Sequence, residues 1–250
     1  MDIYGEGRGL TIGKDRVKSV DLARIGFGQA VAVTPISLLT ACASVINGGN
    51  LLKPYIVDKI VDTSDGRIVY QAEPQIVRKT ISEKTSETMR MILESVVTDG
   101  GGKNAQVPGY RIGGKTGTAQ KYENGTIARG KYVSTFVGFA PANDPEYILL
   151  FIVDEPSTGV YYGSMVSAPQ AAKIFSQTFN YLGWKGEKVN EQETIIMPSV
   201  LGLTFEECDK VLKENGITYQ FLDKGGERIS YQLPAEGSVV TRNITAYVEG

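Results

Sequence analysis

No histidine occurs among the 250 residues. That absence removes Ser-His-Asp and Cys-His catalysis and the usual zinc sites, and it confines any chemistry to lysine, carboxylate, tyrosine and hydroxyl groups. Cysteine is almost as scarce. Cys42 and Cys208 fall in what read as separate domains, so the expectation is two small buried hydrophobes and no disulfide. Neither sign of charge is in excess: 26 basic and 28 acidic side chains give a net charge of -2. No strong field therefore favours nucleic acid or an anionic membrane. A run of about 18 or more apolar residues, the length that spans a bilayer, is lacking. Residues 1–9 have no apolar stretch and so do not form a signal peptide. They are glycine-rich and begin abruptly, like a chain cut in mid-loop. What remains is ordinary globular composition, 42% hydrophobic and 22% charged, in a length that fits one large domain or two smaller ones.

Local patterns predict the elements. Thr34 suits an N-cap and Pro35 the first helical position. The run from Ile36 to Ile46 is apolar on nearly every side, which predicts a buried helix, and Gly48-Gly49 ends it. Residues 55–61 and 68–70 read as a hairpin turning through Ser64-Asp65-Gly66. Met89, Ile92, Leu93, Val96 and Val97 make one apolar stripe on a helix over 82–97. Strands follow over 110–120, 132–140 and 147–153, with turns at Asn124-Gly125 and 141–145, so an antiparallel meander is expected. The third strand is apolar on both faces and is expected to be central. A helix over 169–182 sets Ala172, Phe175 and Phe179 on one face. After a charged linker, Thr204-Phe205-Glu206-Glu207 forms a capping box. The helix it opens turns Phe205, Cys208, Val211 and Leu212 inward. Short strands are expected over 217–222, 229–231, 239–240 and 244–248. This tail of about 57 residues is near the lower limit for a self-supporting core. The expected organisation is a domain over 1–185, a linker over 186–193 and a small domain over 194–250.

The strongest chemical signal is Gly113-Gly114-Lys115-Thr116-Gly117-Thr118-Ala119-Gln120, and several readings compete for it. Gly109 through Thr116 fits the phosphate-loop pattern. That mechanism needs a helix starting at Lys115-Thr116, whereas Gly117 follows at once and a turn comes soon after. The second reading is the Lys-Thr-Gly strand of serine acyltransferases. There Lys115 supplies a fixed ammonium, and Thr116 and Thr118 offer hydroxyls to a substrate carboxylate. Gly117 lets the substrate backbone approach, and the Thr118 amide faces a developing oxyanion. The third reading is a glycine-rich hairpin with a solvated lysine.

The wider stretch Val107-Pro108-Gly109-Tyr110-Arg111-Ile112 leading into Gly113–Gln120 resembles the class B penicillin-binding proteins. So do Gly26-Phe27-Gly28-Gln29 running into Val33-Thr34-Pro35, and Phe136-Val137-Gly138-Phe139-Ala140-Pro141. The resemblance covers residues 3 to 183 in the expected order. It implies an α+β fold, part of the penicillin-binding, β-lactamase-like transpeptidase architecture, with an antiparallel sheet flanked by helices. It implies a peptidoglycan-crosslinking D,D-transpeptidase of cell-wall synthesis, the spore cortex included. Lys115 and Thr118 would be catalytic, and Thr116, Gly117, Thr118 and Gln120 would bind substrate. No metal or cofactor is implied. The implied partners are peptidoglycan stem peptides, β-lactams and other wall-synthesis proteins, with no nucleic acid. The implied location is the extracytoplasmic face of the bacterial membrane, held by an N-terminal anchor outside this sequence. The tail, from Met197-Pro198-Ser199-Val200 to Leu233-Pro234-Ala235-Glu236-Gly237, resembles a PASTA domain, a small αβ module. The tail reads either as a binder of muropeptide or β-lactam, or as a passive spacer.

The family nucleophile sits in Ser-x-x-Lys, and a second motif is Ser-x-Asn. No serine here fits either. Ser82-Glu83-Lys84 brings the lysine one position too early, and Ser44-Val45-Ile46-Asn47 brings the asparagine one too late. Both motifs lie upstream in the family, so truncation is the expected reason. Apolar surface is then expected to be exposed on the sheet and on the helix of residues 35–47. An alternative of a different class is a non-catalytic peptidoglycan-binding module. Among other residues, Asp154-Glu155 read as a solvated strand end and Arg129-Gly130-Lys131 as a solvated turn. Trp184 reads as packing where the large domain ends. Tyr161-Tyr162-Gly163 either lines the substrate groove or packs structurally. Without a nucleophile to acylate, residues 1–250 incubated with a fluorescent penicillin are expected to give no covalent band on a denaturing gel.

Overall fold

The computed structural model describes residues 5–250 apart from 6, 8, 27, 30, 124–125, 158, 187–193, 224 and 242–243. The expected turn at Asn124-Gly125, Phe27 of the Gly-Phe-Gly-Gln motif and all but the first residue of the expected linker lie outside the described residues. The chain divides into two compact units, Met1–Met91 and Ile92–Gly250. None of the described helices is long and apolar enough to cross a membrane.

The first unit begins with α1 (Ser19–Gly26) and α2 (Pro35–Ile46). Thr34 caps α2 as its sequence predicts: its Oγ1 accepts from Ser37 N–H at 3.3 Å, satisfying one of the orphan donors at a helix start. Only Ser44 and Ile46 of α2 are buried, so the helix is half-buried where an enclosed one is expected. Among the described residues α2 packs mainly on a three-residue strand, too little surface to enclose a helix that is apolar all round. Four short strands follow, β1 (Asn50–Leu52), β2 (Lys59–Val61), β3 (Ile68–Gln71) and β4 (Ile76–Lys79). β1 pairs with β4, and β2 with β3 in the expected hairpin. α3 (Glu83–Thr98) starts with Ser82 Oγ accepting from Thr85 N–H at 3.1 Å. Its Ser86 hydroxyl donates to Val45 O at 2.7 Å and accepts from Gly48 N–H at 3.0 Å, tying α3 to the end of α2.

The second unit holds an antiparallel sheet of β5 (Gly113–Glu123), β6 (Thr126–Ala140) and β7 (Tyr147–Asp154), in that order. The meander is therefore as expected, but β6 is the middle strand and β7 an outer one. The apolar two-faced run of β7 leaves Tyr147 and Ile152 exposed. Arg129-Gly130-Lys131, expected in a turn, belongs to β6. There the β5 register jumps between Gln120 and Tyr122, and Gly130 takes the positive φ that an irregular ladder demands.

Two helices complete this part, the single turn α4 (Gly163–Val166) and α5 (Ala168–Leu182). Phe175 and Phe179 of α5 pack with Val97, Ile112, Phe136 and Ala140 into one buried cluster. Alternation along β6 selects its inner face: Ser134, Phe136, Gly138 and Ala140 are buried, while Val133, Thr135 and Val137 are half-buried. Gly138 is where the aromatic layer closes. A Cβ there would stand 2.6 Å from Phe136 and 2.8 Å from Phe175. Trp184 stacks on Phe179 at 5.2 Å, at the end of this cluster as expected.

The tail comprises β8 (Thr194–Ile196), α6 (Phe205–Glu214), β9 (Thr218–Asp223), β10 (Tyr231–Leu233), β11 (Val239–Thr241) and β12 (Thr245–Glu249). The capping box forms in full: Glu207 Oε2 accepts from Thr204 N–H at 2.8 Å, and Thr204 Oγ1 from Glu207 N–H at 3.3 Å. β12 lies between β9, parallel to it, and β10, antiparallel to it. Met197, Val200, Cys208, Leu212, Ile229 and Val248 form a core separate from that of α5. Both cysteines are free, but only Cys208 is buried; Cys42, expected to be buried, is partly exposed on the half-buried α2. Replacing Phe175 by alanine removes a ring from the aromatic layer and should lower unfolding stability by about 3–5 kcal/mol, read by urea denaturation.

Candidate active site

Lys115, Thr116, Gly117 and Thr118 lie in the middle of β5, opposite Val137, Phe136, Thr135 and Ser134 of β6. The segment is extended strand and starts no helix, so the helix-borne amides that a phosphate loop requires are missing here. Among the described residues β5 pairs on one side only, which leaves its other edge open along these residues.

Strand alternation divides the side chains between two faces. Lys115 and Gly117 share one face. Thr116 and Thr118 share the other, which is also the face of Phe136 and the helices. Lys115 is exposed, and its Nζ donates to the Thr116 carbonyl at 2.9 Å. Gly117 stands against Thr135: a Cβ at this position would run into Thr135 Oγ1. Thr118 is fixed by a contact that the sequence did not announce. Its Oγ1 accepts from the backbone N–H of Gly163 at 3.0 Å. A hydroxyl that accepts keeps its own proton to donate, so Thr118 can still offer a hydrogen bond to an anion at the strand edge. Gln120, across from Tyr132, is exposed.

Gly163 is the residue that sequence reasoning left without a role of its own. Its Cα lies so close to the β5–β6 pair that a Cβ would collide with the carbonyl oxygens of Gly117 and Thr135. Only glycine lets the 160–166 segment sit flat on the Lys-Thr-Gly strand. Ser134, buried on β6, donates its hydroxyl to the Tyr161 carbonyl and anchors the same segment. Asn104 Nδ2 holds it from another side through the Ser164 carbonyl at 2.8 Å. The one sequence signal for this arrangement was the Tyr161-Tyr162-Gly163 triplet.

The approach to β5 is clamped as well. The Arg111 guanidinium meets the Glu94 carboxylate through two bonds of 2.7 Å each, the bidentate geometry that fixes orientation as well as charge. Past the motif, Lys121 reaches Asp154 at 2.9 Å and Glu155 at 2.6 Å. Lys131 bonds Glu123 at 2.6 Å. Asp154 and Glu155 are thus exposed, as expected of a strand end, and also engaged. The hydrogen bond to Glu155, then that to Asp154, holds the Lys121 ammonium above the ordinary lysine range. Glu155 keeps a positive φ of 53°, and its N–H donates to Tyr132 O at 2.9 Å.

Three tyrosines gather beside Thr118. The rings of Tyr132 and Tyr161 stack at 3.8 Å and 7°, and Tyr162 lies 4.6 Å from Tyr161. Tyr161 OH donates to Tyr162 OH at 3.4 Å.

The chain matches the penicillin binding protein transpeptidase domain over residues 2–176. It is 37% identical over 248 residues to stage V sporulation protein D of Bacillus subtilis, covering 96% of this chain and 38% of that protein. It is 31% identical over 169 residues to the peptidoglycan D,D-transpeptidase FtsI of Escherichia coli, covering 68% of this chain and 27% of that one. Among solved structures, the transpeptidase domain of Burkholderia pseudomallei penicillin-binding protein 3 aligns with a TM-score of 0.59 at 30% identity, over 72% of this chain and 52% of that chain. Penicillin-binding protein 3 of Mycobacterium tuberculosis, complexed with ampicillin, aligns with a TM-score of 0.66 at 28% identity, over 74% of this chain and 42% of that one. The chain therefore spans well under half the length of these curated relatives.

The tyrosine group generates a pH prediction. The bond to Tyr162, followed by that to Tyr132, raises Tyr161 from an ordinary 10.0 to about 12. The folded chain thus holds this proton longer than the unfolded chain does. The stability it adds is full below pH 10 and is lost as pH rises through 12. In absorbance titration at alkaline pH, Tyr162→Phe should move one late-titrating tyrosine of the parent back toward 10.

Proposed function

The chain belongs to the penicillin-binding-protein transpeptidase family, and from that membership we propose that it forms the substrate-holding wall of a peptidoglycan-crosslinking D,D-transpeptidase. The observation that carries this reading is the open edge of β5 along Lys115–Thr118. An extended peptide laid along such an edge gains main-chain hydrogen bonds, and alternate side chains meet alternate faces. The ammonium of Lys115 and the donating hydroxyls of Thr116 and Thr118 suit the terminal carboxylate of a D-Ala-D-Ala stem peptide. The bare Gly117 admits its backbone. The Thr118 amide supplies one donor for the oxyanion, a term worth two to three orders of magnitude in rate for a single donor in known hydrolases. Gln120 extends the contact along the strand. The acylated serine comes from outside these residues, and β-lactams occupy the same edge as mimics of the peptide.

The domain assignment belongs to this proposal: transpeptidase part over 1–185, connection over 186–193, PASTA-type tail over 194–250. Two facts support it. The family match ends at residue 176, whereas the likeness to stage V sporulation protein D runs through 96% of the chain. The tail also has a buried core of its own. The proposed setting is the outer face of the cell membrane, among other wall-synthesis proteins and, by the likeness to a sporulation protein, in spore cortex formation.

The test uses the whole protein as its gene encodes it. A fluorescent penicillin should acylate it, and Lys115→Met should slow acylation by roughly a hundredfold or more. Because Lys115 is exposed, the melting temperature should stay unchanged. Acylation of the Lys115→Met protein at the parent rate would remove Lys115 from the site and sink the reading.

A further inference from the structure

The 160–166 segment that carries Gly163 has almost no core of its own. It is a short connection ending in the four-residue α4. One side rests on the β5–β6 pair through Gly163 and Ser134. Its two largest buried side chains, Val160 and Met165, share a cluster with one buried residue of the tail. Val160 at 7%, Met165 at 4% and Leu233 at 7% relative exposure form one cluster, with Tyr231 and Tyr247 packed around it. Leu233 ends β10, and Tyr247 lies opposite it on β12. This cluster is distinct from both the α5 core and the tail core. A continuous path of contact therefore runs from Leu233 to Val160 and Met165, through the Gly163 N–H, to Thr118 Oγ1.

On the premise of the proposed transpeptidase, we infer that the tail is a positioning element for the Lys-Thr-Gly strand, with Leu233 as its key contact. Segments with few buried apolar contacts open locally at low cost. Without Leu233, Val160 and Met165 would lose their buried apolar partner from the tail, and the segment would keep its polar ties and its packing on the sheet and α5. The Gly163 N–H would then leave Thr118 part of the time, and the Thr118 hydroxyl and amide would lose the fixed geometry that an oxyanion site requires. The tail thus acts on the chemistry by holding the loop behind it, whether or not it also binds wall material.

Amide exchange on residues 1–250 tests the contact without any activity. Leu233→Ser should speed exchange of the 161–165 amides roughly tenfold, while the β12 amides of Ala246 and Val248 stay within about twofold. Val160→Ala approaches the cluster from the other side, leaves the tail core untouched and should open the same amides. Leu233→Met should restore the parent pattern. In the whole protein, Leu233→Ser should lower the rate constant of penicillin acylation roughly tenfold at unchanged initial binding, because the oxyanion geometry and not the strand edge is disturbed. Unchanged exchange at 161–165 in both variants overturns the inference. So does equal acceleration of 161–165 and β12 in Leu233→Ser with a silent Val160→Ala, or an opened segment with unchanged acylation. If the segment opens as expected but the parent protein is never acylated, the contact stands and the transpeptidase reading falls.

Discussion

Gly163 lies on the β5–β6 pair with no room for a side chain, and most of the candidate site follows from that one backbone contact. Its N–H fixes the Thr118 hydroxyl, and its neighbours Tyr161 and Ser164 are drawn in by Ser134 and Asn104. The cost is conformational entropy, since glycine loses more freedom on folding than any other residue. The return is a strand whose outer edge is open while its inner face is covered to within van der Waals distance. A peptide could dock on that edge only if nothing else paired there, and a segment crossing the sheet face can steady the strand without covering its edge.

The remaining interactions keep the edge straight from both ends. Just before β5, the doubly bonded Arg111–Glu94 pair fixes the strand's approach to the last turns of α3, which belong to the same unit as the sheet. At the far end, Lys121, Lys131, Glu123, Asp154 and Glu155 join all three strands. These charges are largely exposed, and single pairs of that kind contribute little to stability. Their value is geometric: they span the place where the ladder is irregular, between Gln120 and Tyr122, and where Glu155 holds a strained positive φ. Tyr132, the last residue of β6 in register before that irregularity, stacks on Tyr161.

The aromatic layer of Phe136, Phe175 and Phe179 forms the foundation under β5 and β6, closed at Gly138 where no Cβ intervenes. The tail has a second foundation of its own, and the two parts meet through the small cluster at Leu233. A core of such modest size would be marginal alone. Sharing a buried cluster with the 160–166 segment gives it a mechanical connection to the site as well as a little more buried surface.

Much of this was written locally in the chain. The caps at Thr34 and Thr204, the helices with Phe175 and Cys208 inward, the three-strand meander and the extended Lys-Thr-Gly segment each depend on neighbours a few positions apart, which periodicity and turn residues encode. Three readings failed for one shared reason. Whether α2 is enclosed, whether β7 is central and whether Arg129–Lys131 turn or continue a strand all depend on what packs alongside, and a one-dimensional pattern does not carry that information. The Gly163–Thr118 bond and the Leu233–Val160–Met165 cluster are of the same kind. They join residues 45 positions apart in the bond and far more in the cluster, and they exist only once the sheet and the tail have closed on the segment between them. The sequence determined which residues could bear the chemistry, because residue type and spacing are local properties. Only the tertiary structure decided what holds those residues still, because close packing of distant segments is decided by the shape of the whole fold.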